Sequence, residues 1–490
     1  MRFAGSIFPN ACSLWKRQLA NASIGGIRFI YSLQLIGITT VLAGCSLTPS
    51  AETPQLVQGI EALPNYNGEI AGPASVAAND WWHRMGGEPL ANLVDELIDS
   101  SLVLEEARLQ VVQAQDRAAV AGGQRMPSLG YSVDRTRSRS PDIGGNFSWA
   151  ENYSAGFNTN FDTDVWGRLR ASERAALLGA QAAQLSYTAN EQLEIARLIR
   201  NWIAAIALQN QLQLAQDTAR TFETTYDLTD RRYRAGSQSS SASDVLIARQ
   251  NLEFALIDIP ELERQLDSQL LVIDEQLGRL PGQTAATLVT QSFPAVVMVP
   301  PLDKPIGLLT SRPDVAAAEL RYRAALEDVG AAKANLYPAI TLAGALTLQG
   351  ETPSDFSWQD YIASLSSAIS GPVFQGGRLR AQVRIEQAEA DELATAFARA
   401  ALAAVIDVET ALLSIDRLTQ QVERSRAAVA TAESSNQLVQ SRYRQGLSSL
   451  LAVLETQRSL NSTRQSLIQS EQALANAQVD LFVSLGGNWK

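Results

Sequence analysis

Catalytic and metal-binding chemistry draws on a short list of side chains, and this sequence supplies few of them. A single histidine, His83, and two cysteines, Cys12 and Cys45, occur in 490 residues. They form neither a nucleophile with its base nor a metal cluster. The 51 Asp and Glu residues bring some carboxylates together by chance, and no Gly-rich loop is present to cradle a phosphate. An enzyme is therefore not expected, and no catalytic residue, metal or cofactor is assigned. Two features do have suggestive spacing. One is the cysteine that closes an apolar run at residue 45. The other is a pentapeptide written twice, Arg232-Tyr233-Arg234-Ala235-Gly236 and Arg442-Tyr443-Arg444-Gln445-Gly446, 210 positions apart.

Residues 29–43, FIYSLQLIGITTVLA, follow Arg28 and have the length of a signal-peptide core. The run ends in Leu42-Ala43-Gly44-Cys45, which resembles the lipobox of bacterial lipoprotein signals. That resemblance implies cleavage before Cys45 and a diacylglycerol thioether on its sulfur, with residues 1–44 as signal and 45–80 as a lipidated tether. Ser46 after the cysteine favours delivery to the outer membrane. A plain transmembrane anchor is the alternative, although the run is shorter than the roughly 20 residues of a bilayer span. Cys12 would leave with the signal, so no disulfide is available and stability must come from packing or assembly.

The formal net charge is -11, which argues against a nucleic-acid partner. Residues 1–44 carry four basic side chains and no acidic one, leaving 36 basic against 51 acidic in the remainder. Aromatics are few while Ala, Leu and Gln abound, a bias toward helix.

The repeated pentapeptide belongs to a larger duplication. Met126-Pro127-Ser128-Leu129 corresponds to Tyr337-Pro338-Ala339-Ile340 at an offset of 211, and Gly167-Arg168-Leu169-Arg170-Ala171 to Gly377-Arg378-Leu379-Arg380-Ala381 at 210. Asp244-Val245-Leu246 matches Ala452-Val453-Leu454 and Leu277-Gly278 matches Leu485-Gly486, both at 208. The chain thus divides into a first repeat over 81–280 and a second over 314–487, with the end at 488–490. Between the repeats, residues 281–313 hold six prolines and read as a surface linker.

Each repeat carries the same elements in the same order. Residues 378–445 are 68 positions without Gly or Pro, which as one helix would run roughly 100 Å. The stretch 168–235 matches it apart from Gly179. Within it, Ile195, Leu198, Trp202 and Ala205 form one stripe and Ala196, Ile199, Ile203 and Ile206 its neighbour, so the helix should pack on two sides. Second helices are expected at 242–278, with Pro260 as a kink, and at 449–485. Gly236 and Gly446 stop the long helices. Such lengths suit a rod or tube better than a compact domain.

Ahead of each long helix, apolar residues alternate with polar ones, which predicts β-hairpins at 127–163 and 338–371 with loops at 139–152 and 350–360. Strands of about ten residues at period 2 fit membrane-spanning β-structure. Trp149, Tyr153, Trp358 and Tyr361 would then be interface aromatics; a soluble hairpin with one buried face is the alternative. Four strands cannot close a barrel, and open edges are not tolerated in lipid. Spanning strands would therefore require several chains to share one barrel.

Together these pieces resemble the TolC-like outer-membrane efflux factors, in particular their lipoprotein branch. The resemblance extends from Trp81-Trp82 to Gly486-Gly487. It rests on Asp164-Val165-Trp166-Gly167-Arg168, Arg312-Pro313-Asp314-Val315 with Ala318-Glu319, Val373-Phe374-Gln375-Gly376-Gly377 and the paired Tyr-Arg-x-Gly turns. It implies a mainly α fold with a small transmembrane β part, internally duplicated. It also implies a homotrimer in which a 12-stranded β-barrel continues into a 12-helix α-barrel across the periplasm. A periplasmic adaptor protein and an inner-membrane pump would be the partners, and drugs or other small molecules the cargo. Localisation would be the outer membrane of a Gram-negative bacterium.

The same resemblance places the closing aperture at the second turn, with Leu451 and Glu455 at the leucine and acidic positions and Arg458 and Arg442 at basic ones. Tyr443 would hold the neighbouring helix through a hydrogen bond to a charged partner. Ala452 stands where some relatives carry a second aspartate, which removes one acidic ring. Plainer readings exist: Glu455 as a solvated helix charge, Leu451 as intermolecular packing, Asp244 as a helix cap beside Tyr233 in the first turn, and Trp81, Trp82 and Trp166 as packing anchors. A periplasmic coiled-coil adaptor or scaffold lipoprotein is the alternative function. The four alternating strands speak against it.

Overall fold

In a computed structural model of the chain, the described residues are 47–63, 66, 81–141, 144–236, 240–284, 293–294, 307, 309 and 311–486. The signal segment 1–44, the proposed lipidation site Cys45 and most of the linker 281–313 lie outside them. The fold is mainly helical with one small sheet. In chain order the elements are α1 (Gln55–Glu61), α2 (Trp81–Ser100), α3 (Leu102–Gly123), β1 (Ser128–Pro141), β2 (Phe147–Asp162), α4 (Arg168–Arg234), α5 (Ala242–Gln276), α6 (Pro313–Ala334), β3 (Ala339–Gly350), β4 (Ile362–Ser370), α7 (Arg378–Arg444) and α8 (Leu450–Ser484).

The two copies do not fold separately. Residues 127–168 and 334–374, one hairpin from each copy, form one compact unit, and the helical segments of both copies form the other. The β-unit is a single antiparallel sheet in the order β1-β2-β3-β4, so the central pairing of β2 with β3 joins the copies. Alternation separates its faces. Leu129, Tyr131 and Val133 on β1 share a face with Phe157 on β2, Leu346 on β3 and, through Gly344, Leu365 on β4. Ser132, Asp134, Asn158 and Asn160 stand on the other. The apolar face is uncovered: Tyr131 is 80% exposed and Leu365 85%. A soluble hairpin with one buried face is therefore not what this unit presents.

The strands also run further than alternation of apolar residues suggested. The loop expected at 139–152 is largely strand, because pairing continues through Arg137↔Glu151 and Arg139↔Trp149 to Pro141↔Phe147. Basic and aromatic partners take over there from apolar ones. The motif Asp164-Val165-Trp166-Gly167-Arg168 builds the exit from β2. Trp166 donates its indole N–H to the Pro338 carbonyl at 2.7 Å and stacks on Tyr337 at 4.7 Å. Arg168 holds Asp162 at 2.8 Å.

In the helical unit, α4 and α7 are each 67 residues long. All eight residues of the two stripes read on α4 are buried, none above 5% exposed. They pack with Trp81, Leu97, Ile273, Val479 and Phe482 in one core, where Trp81 stacks on Phe482 at 4.6 Å. A second core joins Phe397, Ala401, Val408 and Leu412 of α7 to Leu474 and Leu481 of α8. The helix α5 continues through Pro260 as one element. The carbonyl that proline cannot serve belongs to Leu256.

Part of the expected tether is docked instead. Val57 and Ile60 of α1, together with Tyr66, are buried in the α7 core, and Thr48 donates to Glu327 at 2.7 Å. Gly330 allows this approach, since a Cβ there would lie 2.6 Å from the Thr48 hydroxyl. Arg312 of the Arg-Pro-Asp-Val motif also has a structural role. It forks onto Asp314, reaches Asp407 of α7 at 2.9 Å and the Ser484 carbonyl of α8 at 3.3 Å.

The end of α5 is fastened by Asp274, which is 1% exposed. Its carboxylate accepts from the backbone N–H groups of Gly282 (2.7 Å), Gln283 (3.2 Å) and Thr284 (2.9 Å) and from the Thr284 hydroxyl. Burial raises the carboxyl pKa, but these donors together outweigh it and leave the value lowered. A lowered acid stabilises the fold above its unfolded pKa and loses that contribution as pH falls through the folded value. Asp274→Asn is expected to cost about 2 kcal/mol at pH 7, read as a lower unfolding midpoint. The gap from the parent should narrow below about pH 4.

Candidate functional site

The two helix reversals, from α4 to α5 and from α7 to α8, bring most of the singled-out residues to one end of the helical unit. Gly446 ends α7 in the left-handed region at φ 77°. Its N–H donates to the Tyr443 carbonyl at 2.9 Å, and the Leu447 N–H donates to that of Arg442 at 2.8 Å. This bond pair closes a Schellman motif. Gly236 repeats the conformation at φ 70°, donating to the Tyr233 carbonyl at 3.0 Å.

The helices that follow begin differently. Ser241 and Asp244 form a complete capping box on α5: the Asp244 N–H donates to the Ser241 hydroxyl at 3.2 Å, and the Ser241 N–H to the Asp244 carboxylate at 2.8 Å. Asp244 is therefore a cap. On α8 the Ser449 hydroxyl accepts the Ala452 N–H at 3.2 Å, but Ala452 has no carboxylate to return the bond. The aspartate missing at 452 occupies the capping position of the other copy.

The two tyrosines of the repeated pentapeptide have opposite fates. Tyr233 is 47% exposed, whereas Tyr443 is 4% exposed and packs with Phe222 of α4 and Leu450, Val453 and Leu454 of α8. The Tyr443 hydroxyl meets the Thr229 hydroxyl at 3.1 Å. Its expected charged hydrogen-bond partner is replaced by this neutral one, because a charge in so buried a place would have to be desolvated. The cation sits on the ring instead: the Arg232 guanidinium lies 4.6 Å from the Tyr443 centroid. Arg232 also donates to the Arg444 carbonyl at 2.8 Å, tying α4 to α7.

Sequence reading missed Thr229, Arg232 and the polar ladder that extends from them. Gln457, 2% exposed, donates to Thr225 at 3.0 Å. Thr456 donates to Asn436 at 3.3 Å, and Arg458 to Asn251 of α5 at 2.6 Å. The helical repeat Thr221, Thr225, Thr229 was the available signal. A cavity of about 460 Å³ lined by Thr221, Asn436, Gln457 and Arg464 adjoins this ladder. At this end buried polar side chains lie beside the apolar cluster of Phe222, Leu450, Val453 and Leu454.

Leu451, Glu455 and Arg458 share one exposed face of α8, beside the face that buries Leu450, Val453, Leu454 and Gln457. Leu451 is 68% exposed. Arg442 is exposed on α7. The four aromatics stand on the other unit. Trp149 and Tyr153 lie on β2 in the register of the apolar face, Tyr361 directly precedes β4, and Trp358, 68% exposed, lies in the loop before it. Among the described residues, no group of three or more His, Cys, Asp or Glu could hold a metal ion, and no helix is long and apolar enough to cross a membrane.

Comparison with known proteins finds similarity over most of the chain. The family model "Outer membrane efflux protein" matches residues 93–279 and again 307–487, one match per copy. The pyoverdine export outer membrane protein OpmQ of Pseudomonas putida is 30% identical over 94% of this chain and 97% of its own. Nodulation protein T of Rhizobium leguminosarum is 28% identical over 92% of each. The solved outer-membrane channel OprN superposes with a TM-score of 0.83 at 23% identity, over 91% of this chain and all of that one.

Proposed function

The chain belongs to the outer membrane efflux protein family, and we propose that three copies form one duct whose inner end closes on Leu451 and Glu455. The protein is an outer-membrane channel, the exit duct of an efflux system. Trimerisation is supported by the sheet itself. It has four strands, an apolar face open on one side and two free edges, β1 and β4. Neither edge is tolerated in lipid unless another strand covers it. Three such sheets supply twelve strands, enough for a barrel with its polar face inward. The paired long helices would then supply the periplasmic conduit.

The observation that carries the gate reading is the contrast at the tip. Buried Tyr443 and the polar ladder fasten each α7–α8 pair to α4 within a protomer, while Leu451 and Glu455 of the same α8 remain exposed on the neighbouring face. Three leucines converging on an axis exclude water and ions, and three carboxylates one helical turn beyond them attract cations. Hydrogen-bonded polar cores open at lower cost than apolar ones, because water can replace their bonds. A docked adaptor could thus part the tip helices without disturbing the apolar cores around Trp202 and Leu412. We assign the partners as a periplasmic adaptor and an inner-membrane pump, with lipid on Cys45 anchoring the chain. The name of the OpmQ relative refers to pyoverdine export, and export of a small molecule is the corresponding role here.

Outer-membrane fractions should yield the chain as a detergent-resistant trimer that heating converts to monomer. Recovery of a soluble monomer without detergent would instead favour the adaptor or scaffold reading.

A further inference from the structure

The described sheet carries a charged cluster that the duct does not use. Arg135, Arg137 and Arg139 follow Leu129, Tyr131 and Val133 at every second position of β1, so all six lie on one face. That face is the apolar one, away from Asp134, Asn158 and Asn160. Each arginine faces an aromatic across the strand pair: Arg135 lies 5.5 Å from the Tyr153 centroid, Arg137 4.6 Å from Trp149, and Arg139 5.1 Å from Phe147. Among the described residues a single acid, Glu151, contacts Arg135 at 3.1 Å and Arg137 at 3.3 Å. The cluster keeps a positive excess among the described residues, and the side chains of Arg135 and Arg137 remain 58% and 55% exposed.

Position gives the cluster its meaning. β1 leaves α3 at Ser128 and β2 returns toward α4 at Asp162, so the arginines lie toward the hairpin end farthest along the strands from the helices. On the same face, the apolar rows run from Phe161 and Leu342 to Ala155 and Leu348, and the Tyr153 row with Arg135 comes next. The nine residues of strand from Phe161 to Tyr153 span eight rises, about 27 Å along the strand and about 21 Å of height at the usual barrel tilt, most of an outer-membrane apolar band. The ladder thus begins where hydrocarbon gives way to headgroups. Arginine forks match phosphate oxygens bidentately, and aromatic rings favour this depth.

We propose that Arg135, Arg137 and Arg139, backed by Phe147, Trp149 and Tyr153, bind the phosphate groups of an anionic glycolipid in the outer leaflet around the duct. This rests on the channel reading, which places the apolar face against lipid and the hairpin tips outside. Three copies would present three such sites. The site would hold the barrel at its depth in the membrane and surround it with ordered lipid.

The test uses the full-length channel in detergent micelles doped with bisphosphorylated lipid A, its dephosphorylated form, or inorganic phosphate alone. The bisphosphorylated lipid should be retained at least tenfold more tightly by the parent than by R135Q/R137Q/R139Q. The triple lysine variant should recover part of the binding, and inorganic phosphate should not displace the lipid. Equal retention by parent and glutamine variant would overturn the proposal, as would equal retention of the dephosphorylated lipid or displacement by inorganic phosphate. Unchanged lipid binding with loss of the trimer would assign the arginines to contacts between protomers instead. Conductance of the parent in planar bilayers separates the two layers of inference. A conducting channel whose lipid retention ignores the substitutions loses only this site, whereas failure to insert removes the channel reading beneath it.

Discussion

Tyr443→Ala is expected to produce a channel with a severalfold higher single-channel conductance than the parent in planar bilayers. The substitution removes a buried ring that fills the tip between α4 and α8, a loss of about 3–5 kcal/mol in comparable cores. It also strands the Arg232 guanidinium, which sits 4.6 Å over the ring. The α8 tip would then be held mainly by the ladder from Gln457 and Arg458, whose bonds water can replace. Tyr443→Phe separates the contributions. It keeps the ring and the cation above it, and Thr229 retains the Thr225 carbonyl as acceptor at 2.8 Å, so only about 1 kcal/mol is lost. Its conductance should stay near that of the parent. A Tyr443→Ala channel that inserts as a trimer and conducts like the parent would show that the tyrosine lock does not control the aperture.

Glu455→Gln should weaken block by a trivalent cation by about 100-fold, which corresponds to about 2.7 kcal/mol. Three carboxylates around one axis act together on a cation between them, and a narrow aperture with protein walls screens them less than open water does. Among the described residues Glu455 has no ion-pair partner, and Arg458, one turn further along the helix, is engaged by Asn251. Its charge is therefore available to the passage. Arg458→Ala should by contrast change block only modestly while loosening the contact between α8 and α5. Block that is unchanged in Glu455→Gln would place the carboxylate on the outer surface of the tip.

Much of this architecture could be read from the chain. Long runs without Gly or Pro leave only helix as a regular option, and the double stripe on α4 marked both of its packing faces. The duplication was visible through glycine and arginine anchors, which occupy turns and joints that tolerate little change. Other features depended on tertiary context. Tyr233 and Tyr443 have identical neighbours in sequence, yet one is exposed and the other buried. Leu450, Val453 and Leu454 of α8 cover Tyr443, whereas the stretch after Gly236 is a polar run followed by a capped helix start. The extra length of β1 was hidden because its outer rows pair arginine with aromatics, which reads as loop when only apolar alternation is counted. Docking of α1 was equally obscure. Val57 and Ile60 are similar in apolar character to Leu56 and Leu63 nearby, which stay exposed, and their burial depends on α7 lying beside them.

The gate residues are the part of the site that lies furthest from the sequence signal. Leu451 and Glu455 are ordinary helix-surface residues in composition, and their proposed role exists only when three chains meet. The most direct measurement is therefore made at Leu451 itself. A Leu451→Cys channel, extracted as the detergent-resistant trimer, is treated with a short tris-maleimide reagent and resolved after heating. Three thiols converging on one axis should yield a covalent trimer and a channel that no longer conducts. Heat-dissociated monomers, each singly labelled and still conducting as before, would contradict a closure formed by the three α8 tips.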